Sequence, residues 1–301
     1  MLALVMSDIF FYDGRFVGGD EPVVSLADRG YQFGDGVYDA WMVYGGRHFL
    51  RGEHLDRLER SCAAIGITPG YSRSEVEAFT EGMLERSGIE RGMVYLQWTR
   101  GRQSPRSHAP APNLRPVLSG YIRALPPYPE ECFSKGVATI FYPDERQTFC
   151  GIKSLNLLGS VMASAAARAA GCHEAIFVRD EGGRRFVTEC SRSNCFAVKG
   201  GIVYTAPLGK LILPGVTRQA VLDLARGLGI GVIEEFTAPE FFAEADEVFI
   251  SAASGILPVA SIGGSGVGGD PIGARARPVF SVLEAGYRAL IEAKCELEES
   301  E

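Results

Sequence analysis

Lys153 and Glu189 are the two residues of this chain whose types and surroundings could most readily do chemistry. Lys153 lies in the otherwise uncharged stretch 151–159, and apolar neighbours partly desolvate an ammonium group and so favour the free amine. A free amine forms a Schiff base with an aldehyde. Because the chain has only five lysines against 25 arginines, its ammonium groups are not simply solubilising charges. The pair predicts pyridoxal phosphate chemistry, although Lys153 alone could equally be a lysine that extends from a strand end into solvent.

Composition restricts the possible partners. The chain has 301 residues, a net charge of −7 and 46% hydrophobic residues, as expected for one large or two ordinary globular domains. An acidic chain is a poor partner for a nucleic-acid backbone, and no apolar run approaches the roughly 18 residues of a membrane span. We therefore expect no nucleic-acid partner and no membrane. Seven cysteines without a CxxC pair or metal-ligand spacing indicate a cytoplasmic protein with no metal site.

Strand and helix patterns alternate along the chain and must position these residues. The predicted strands are 37–44, 47–50, 93–99, 117–124, 136–142, a hairpin over 175–198, and 247–251. The predicted helices lie around 55–65, from Ser72 to Gly88, over 161–170 and 217–228, and from about Pro278. Three prolines in 125–131 can continue neither kind of element. They predict a smaller domain 1–124, a linker 125–135 and a larger domain 136–301.

Five ordered motifs resemble one known family. They are Arg29–Tyr38, Ser104–His108, Ile152–Gly159, Val187–Glu189 with Asn194, and Pro214–Arg218. On these motifs the chain resembles the D-amino-acid transaminases of the fold type IV pyridoxal phosphate enzymes, from about Asp8 to the last helix. The resemblance implies an α+β protein with a smaller α/β N-terminal domain and a larger barrel-like C-terminal domain. It also implies a homodimer and pyridoxal 5′-phosphate as the cofactor.

The resemblance assigns roles around that cofactor. Lys153 would hold the cofactor and carry a proton, and the carboxylate of Glu189 would keep the pyridine nitrogen protonated. The backbone amides that open a helix at Val216 and Thr217 suit a phosphate dianion, although a plain helix cap would have the same local sequence. The remaining cofactor contacts implied by the family are Arg57 and Ser251 at the phosphate and Leu213 against the ring. By its local pattern, Arg57 could instead be a solvated position on an amphipathic helix.

Substrate recognition is predicted from a polar loop and one tyrosine. Arg106 and His108 alternate in a loop bracketed by prolines, where two cation-capable side chains can converge on one carboxylate. The family resemblance implies that this loop reaches the neighbouring subunit's site and that Tyr38 approaches the Lys153 side of the cofactor and the substrate carboxylate. A basic surface loop is the alternative, since long polar loops tolerate change.

Several positions depart from the family pattern. Cys190 stands where glycine is usual, and Arg192 stands where a small residue is usual. Ala252 and Ala253 replace threonines beside Ser251, so one phosphate hydroxyl is missing. Arg192 either compensates as an extra cation or points to solvent. The loop 100–104 is one residue longer than typical, and Asp39 and Trp41 could reshape the side-chain pocket.

These observations predict a homodimeric transaminase that acts on D-amino acids with pyruvate or 2-oxoglutarate as the 2-oxo acid acceptor. The alternatives within the same cofactor chemistry are a branched-chain L-amino-acid transaminase, an (R)-amine transaminase and an aminodeoxychorismate lyase. The pair Arg106 and His108 disfavours the branched-chain enzyme and the lyase. A non-catalytic binding protein is disfavoured by the presence of both Lys153 and Glu189.

Overall fold

The computed structural model describes residues 8–263, 265–266 and 276–296. They fall into two compact units. The first contains the chain up to Pro126, the segment Ile152–Asn156 and the residues from Ile291, and the second contains Pro127–Gly151 and Leu157–Leu290. Lys153 therefore groups with the first unit, which the sequence pattern did not predict. The first seven and last five residues of the chain, at the ends of the two predicted domains, lie outside the described residues.

An antiparallel sheet forms the centre of the first unit. Its described strands are β1 (Ile9–Tyr12), β2 (Arg15–Val17), β3 (Gly36–Tyr44), β4 (Arg47–His48), β5 (Gly92–Thr99) and β6 (Val117–Ala124). They are ordered β2-β1-β6-β5-β3-β4. Alternate side chains of β5 are buried, which is the period expected when one face of a sheet covers a core. The core packs Trp41, Leu96 and Trp98 against the helices of the unit.

A mixed sheet, curled like a half barrel, forms the second unit and confirms the predicted fold class. Its described strands are β7 (Val137–Pro143), β8 (Glu174–Glu181), β9 (Arg184–Cys190), β10 (Asn194–Lys199), β11 (Ile202–Thr205), β12 (Val232–Glu234), β13 (Glu247–Ala252), β14 (Gly255–Ile262) and β15 (Ser265–Gly266). The order is β12-β11-β10-β13-β14-β7-β8-β9, with β15 paired to β14.

The described helices are α1 (Arg29–Phe33), α2 (Arg51–Ala64), α3 (Arg73–Ser87), α4 (Glu130–Ser134), α5 (Leu158–Ala169), α6 (Val216–Gly227), α7 (Pro239–Ala243) and α8 (Pro278–Cys295). Five of these eight helices correspond to predicted ones, and the three short helices α1, α4 and α7 were not predicted. The capping box at Ser72 and Glu75 is present, and Gly88 caps the C-terminal end of α3 in the left-handed conformation. Helix α4 lies inside the segment 125–135 that the sequence predicted to be a linker. No helix in the described part of the chain has the length and apolarity needed to cross a bilayer.

One strand prediction was wrong. The stretch 175–198, predicted as a two-stranded hairpin, contains the three strands β8, β9 and β10. The second predicted strand is interrupted because the buried carboxylate of Glu174 accepts hydrogen bonds from the hydroxyls of Ser191 and Ser193 and from the backbone N–H of Arg192. These three bonds fold the chain into a turn between β9 and β10.

Candidate active site

The segment that carries Lys153 is attached to β3 through its backbone. The N–H of Tyr38 donates to the carbonyl of Lys153 at 2.9 Å, and the N–H of Leu155 donates to the carbonyl of Gly36 at 3.0 Å. Glycine is required at position 36, because a Cβ there would lie 2.4 Å from the carbonyl oxygen of Trp98. The ammonium nitrogen of Lys153 lies 4.4 Å from the centre of the Tyr38 ring. The structure thus brings these two predicted catalytic residues together.

Tyr38 is the first of three tyrosines stacked across the sheet. Its ring lies 5.4 Å from that of Tyr95, which lies 5.1 Å from that of Tyr121. Tyr95 on β5 and Tyr121 on β6 are directly opposite each other, and Tyr38 on β3 lies diagonally from Tyr95, within reach of its ring. Burial raises the pKa of the Tyr95 hydroxyl above its ordinary value, and that hydroxyl donates to Gln97. The row holds Tyr38 in one orientation beside Lys153.

A buried polar stripe runs along α2. His54, Arg57 and Ser61 follow one another at helical spacing, and each is less than 5% exposed. Ser61 accepts a hydrogen bond from the backbone N–H of Lys153 at 3.3 Å. Burying three polar side chains on one helix face costs free energy unless each has a hydrogen-bond partner. Arg57 is therefore not on a solvated helix face.

The carboxylate of Asp39, on β3, balances the positive charge that Arg57 brings to this stripe. The carboxylate accepts from Arg57 Nε at 2.9 Å and from a terminal Arg57 nitrogen at 2.8 Å, and it lies 2.7 Å from Nδ1 of His54. Burial opposes ionisation of Asp39, but the charge and hydrogen bonds of Arg57 outweigh burial and hold the pKa of that carboxyl well below its usual range. The sequence suggested a pocket-shaping role for Asp39. The structure instead pairs it with the arginine predicted to bind phosphate.

The predicted substrate loop lies against Phe33. The guanidinium of Arg106 is 4.2 Å from the centre of the Phe33 ring, and the His108 ring is 5.2 Å away. Both side chains are exposed, so they are available to a ligand or to another copy of the chain. The structure therefore brings Arg106 and His108 together on one aromatic surface, the Phe33 ring.

In the second unit, hydrogen-bond donors surround the carboxylate of Glu189. One carboxylate oxygen accepts from Arg146 at 2.6 Å, and the other accepts from the Asn194 amide at 3.1 Å and the Leu213 N–H at 2.9 Å. Burial raises the pKa of the Glu189 carboxyl above its ordinary value, while the charge of Arg146 opposes that rise. Arg146 is itself held by two bonds to the buried Asp144. No sequence pattern pointed to Arg146, which lies in an irregular loop.

The N-terminal end of α6 has the features of an anion site. Gly215 caps the helix without any side-chain hydrogen bond, and Val216 and Thr217 follow it, both buried. A Cβ at position 215 would lie 2.1 Å from the Asn194 side-chain oxygen, so only glycine fits there. The hydroxyl of Ser251, only 2% exposed, has no hydrogen-bond partner among the described residues. A buried hydroxyl without a partner fits a ligand that accepts hydrogen bonds, such as phosphate.

The remaining departures from the family pattern have local explanations. Arg192 donates through its guanidinium to the carbonyl of His173 at 3.1 Å and is otherwise exposed. The backbone N–H of Cys190 donates to the carbonyl of Ser193 at 2.7 Å, so that residue contributes its backbone to the turn. Ala252 itself offers no hydroxyl. The donors and acceptors present therefore fit pyridoxal phosphate, with Ser251 as one side-chain hydroxyl for its phosphate.

Comparison with known proteins agrees with this chemistry. The chain is 41% identical to a D-alanine aminotransferase of Listeria monocytogenes over 256 residues, which are 84% of this chain and 86% of the relative. It is 36% identical to one from Staphylococcus aureus over 94% of this chain and 98% of that protein. A branched-chain aminotransferase from Thermoproteus uzoniensis has a similar structure, with a TM-score of 0.82, 26% identity and 96% of each chain covered. The Escherichia coli branched-chain enzyme shares the fold, with a TM-score of 0.83, 23% identity and 97% of each chain covered.

Residues 36–262 match the family described as amino-transferase class IV. The match covers most of the chain and includes Lys153, Glu189 and the N-terminal end of α6. This chain therefore belongs to the class IV aminotransferases, enzymes that use pyridoxal 5′-phosphate.

Proposed function

We propose that this chain transfers an amino group from D-amino acids to a 2-oxo acid, pyruvate or 2-oxoglutarate. The observation that carries the proposal is the arrangement of Arg106 and His108 on the Phe33 ring. Two cation-capable side chains on one surface can hold a carboxylate in a single orientation, which is what selection of one enantiomer requires. The relatives named D-alanine aminotransferase, at 36–41% identity, support D-amino acids as substrates.

Branched-chain L-amino acids are the second candidate substrates. Solved structures of similar fold carry the name branched-chain aminotransferase, at 23% and 26% identity. That similarity concerns the fold, and a fold is compatible with several substrates. The two proposals predict opposite handedness, so a comparison of enantiomers separates them.

The proposed chemistry assigns one task to each group. Pyridoxal phosphate, when bound, supplies the aldehyde that takes the amino group and a ring that accepts the electrons released at Cα. Lys153 would hold the cofactor and would take and return the proton at Cα as a general base and acid. The carboxylate of Glu189 would keep the pyridine nitrogen protonated. Tyr38 would orient the Lys153 amine, and Leu213 would pack against the ring.

Phosphate binding is assigned to four groups. The backbone N–H groups of Val216 and Thr217 and the hydroxyl of Ser251 would donate to the phosphate, and Arg57 would contribute its guanidinium. Asp39 fixes the plane of the Arg57 guanidinium, because two of the guanidinium nitrogens are already bonded to its carboxylate. The guanidinium of Arg57 is therefore oriented before any ligand binds, which lowers the cost of ordering it.

Handedness and the carboxylate contact are tested together. Wild type should convert D-alanine or D-glutamate far faster than the L-enantiomers, with either 2-oxo acid as acceptor. Arg106→Ala should lower kcat/KM for both the amino acid and the oxo acid. The loss corresponds to roughly 2–3 kcal/mol of transition-state stabilisation, the usual effect of a lost charge-assisted contact. Primary (R)-amines without a carboxylate should be much less affected. The measurement is steady-state turnover of paired enantiomers and amines.

Arg115→Ala is the matched control for Arg106→Ala. Arg115 is also an exposed arginine, and its guanidinium pairs with Asp13 at 2.8 Å. Its removal should leave the enantiomer ratio and KM unchanged. A wild type that prefers L-leucine would overturn the proposed substrate while leaving the family in place. An Arg106→Ala variant that loses D-alanine and amine activity equally would show that Arg106 does not bind the carboxylate.

We also propose that two copies assemble into a homodimer. Three large apolar side chains on α5 are exposed at helical spacing: Leu158 by 72%, Val161 by 59% and Met162 by 54%. A contiguous apolar helix face of this kind is typical of a surface that another molecule covers. The family resemblance, which has the Arg106 loop serve the neighbouring subunit, makes a second copy the expected occupant.

The assembly is tested by light scattering after gel filtration. Wild type should have twice the mass of the 32.5 kDa chain, and Val161→Glu should shift the protein toward a single chain because a buried, unpaired carboxylate is costly. Val282→Glu is the matched control, since Val282 on α8 is 47% exposed. Equal effects of the two substitutions, or a wild type of single-chain mass, would contradict the proposed interface.

We propose a cytoplasmic location on the basis of the thiols. All seven cysteines are free, and four of them, Cys62, Cys190, Cys195 and Cys295, are buried as small apolar side chains. Disulfide bonds are typical of oxidising compartments, and free thiols of reducing ones. Cell fractionation with an antibody against the protein tests the location.

A further inference from the structure

Arg29 is a buried arginine in the first unit, only 3% exposed. Its hydrogen bonds go mainly to the substrate loop, residues 103–112. One terminal nitrogen donates to the carbonyl of Ser107 at 2.6 Å, and the other donates to the carbonyl of His108 at 2.8 Å. The first of these nitrogens also donates to the Gln103 side chain at 3.1 Å. The guanidinium therefore binds the loop at three points.

The loop has little else in its own chain to hold it. Residues 104–112 are exposed and contain no helix or strand. Gln103, itself bound by Arg29, accepts from the N–H of Ala111 and donates to the carbonyl of Ala109. An exposed segment without regular structure is normally mobile. Here the backbone of Ser107 and His108 is fixed from beneath by a side chain that is itself buried.

Arg29 is itself held in place by several hydrogen bonds. Arg29 Nε donates to Asp35 at 2.7 Å, and the backbone N–H of Arg29 donates to the carbonyl of Gly101. Asp28 caps α1 by accepting from the N–H of Gly30, and its other oxygen accepts from the Thr99 hydroxyl at the end of β5. The position of Arg29 is thereby tied to the central sheet of the first unit.

The same short helix also provides the surface on which the loop side chains lie. Phe33 is one turn beyond Arg29, whose guanidinium lies 4.8 Å from the centre of the Phe33 ring. Arg106 and His108 contact that ring. Helix α1 thus fixes the loop backbone with one residue and the side chains of the loop with another.

We infer that Arg29 is a positioning residue for substrate specificity. It acts through the loop, by holding Arg106 and His108 where they bind the carboxylate of the amino acid and of the oxo acid. This inference rests on the proposed function for the carboxylate contact, but the anchoring of the loop by Arg29 does not. The two parts can therefore be tested separately.

Arg100 provides a matched control. Arg100 Nε donates to the same Asp35 carboxylate, and its two terminal nitrogens donate to the carbonyls of Gly66 and Ile65. It therefore has the same acidic partner and a comparable number of carbonyl bonds, but none to the substrate loop. Arg29→Gln and Arg100→Gln each remove one positive partner of Asp35. Only the first releases residues 107 and 108.

The first measurement is limited trypsin digestion of each folded holoenzyme, with cleavage after Arg106 followed by mass spectrometry. Arg29→Gln should cleave about tenfold to hundredfold faster than wild type, because the loss of hydrogen bonds to a charged donor has about that effect on a local opening equilibrium. Arg100→Gln should cleave at the wild-type rate. Equal rates in the two variants, or no acceleration in either, would overturn the inference whatever the enzyme's substrate.

The second measurement is kinetic. Arg29→Gln should raise KM for D-alanine and pyruvate about tenfold or more while kcat and the visible spectrum of the bound cofactor change little. Arg29→Lys keeps the charge near Asp35 but lacks the planar fork, so it should show the same KM effect and serves if the Gln variant does not fold. Faster cleavage with an unchanged KM would show that Arg29 anchors the loop but that the loop does not bind the carboxylate. That result would refute both the proposed substrate contact and the specificity role of Arg29.

Discussion

Replacing Lys153 by alanine is expected to abolish multiple turnovers. Wild type should be yellow, with visible absorption from a cofactor joined covalently to the protein, and Lys153→Ala should lose that absorption and the attachment. Loss of proton transfer alone should slow the reaction by on the order of 10²–10⁴-fold, and loss of covalent binding adds to that. Tyr38, whose ring lies 4.4 Å from the Lys153 nitrogen, is a phenol and cannot form a Schiff base in place of the amine.

Borohydride reduction locates the attachment. After reduction and digestion, mass spectrometry should find the cofactor on the peptide that contains Lys153. Lys135→Ala is the matched control, because Lys135 is exposed and pairs only weakly with Glu131 at 3.3 Å on α4. That variant should retain colour and turnover. Cofactor found on Lys135, Lys199, Lys210 or Lys294 would disprove the assignment of Lys153.

The sequence predicted those parts of the fold that depend on local physics. The capping box at Ser72 and the glycine cap at Gly88 identify α3 because both act within one helical turn. The order of the strands was beyond prediction from local patterns, since it depends on pairings such as that of β1 with β6, more than 100 residues apart. The interruption after β9 depends on Glu174, which is distant in sequence from the turn that it stabilises.

The candidate site shows the same division. Lys153 and Glu189 stood out by their surroundings in the sequence and by the resemblance to a family. Arg29 belongs to one of the family motifs but had no predicted role, and Arg146 lies in no motif; their hydrogen-bond partners distinguish them from the other arginines of this chain. The stripe of His54, Arg57 and Ser61 could have been recognised as polar residues at helical spacing. Its meaning depended on Asp39, which lies on another element and neutralises it.

The surroundings of Glu189 determine what its replacement should do. Both carboxylate oxygens accept hydrogen bonds, from Arg146 on one side and from Asn194 and the Leu213 N–H on the other. A glutamine amide has one oxygen and one NH₂ group, so in either orientation its NH₂ group faces a donor. The substitution therefore removes the negative charge and disturbs the donors that hold it.

Glu189→Gln is expected to slow removal of the Cα proton far more than it weakens cofactor binding. A neutral side chain cannot hold a proton on the pyridine nitrogen, and loss of such a pre-oriented charge should raise the proton-transfer barrier by about 2–4 kcal/mol. Single-turnover kinetics with Cα-deuterated D-alanine should show an isotope effect larger than in wild type, because proton transfer becomes rate-limiting. Glu247→Gln is the control, since Glu247 is an equally buried carboxylate that caps α8 through Val279 and Phe280. It should lower stability and leave that rate unchanged. An unchanged single-turnover rate in Glu189→Gln would mean that another group faces the ring nitrogen.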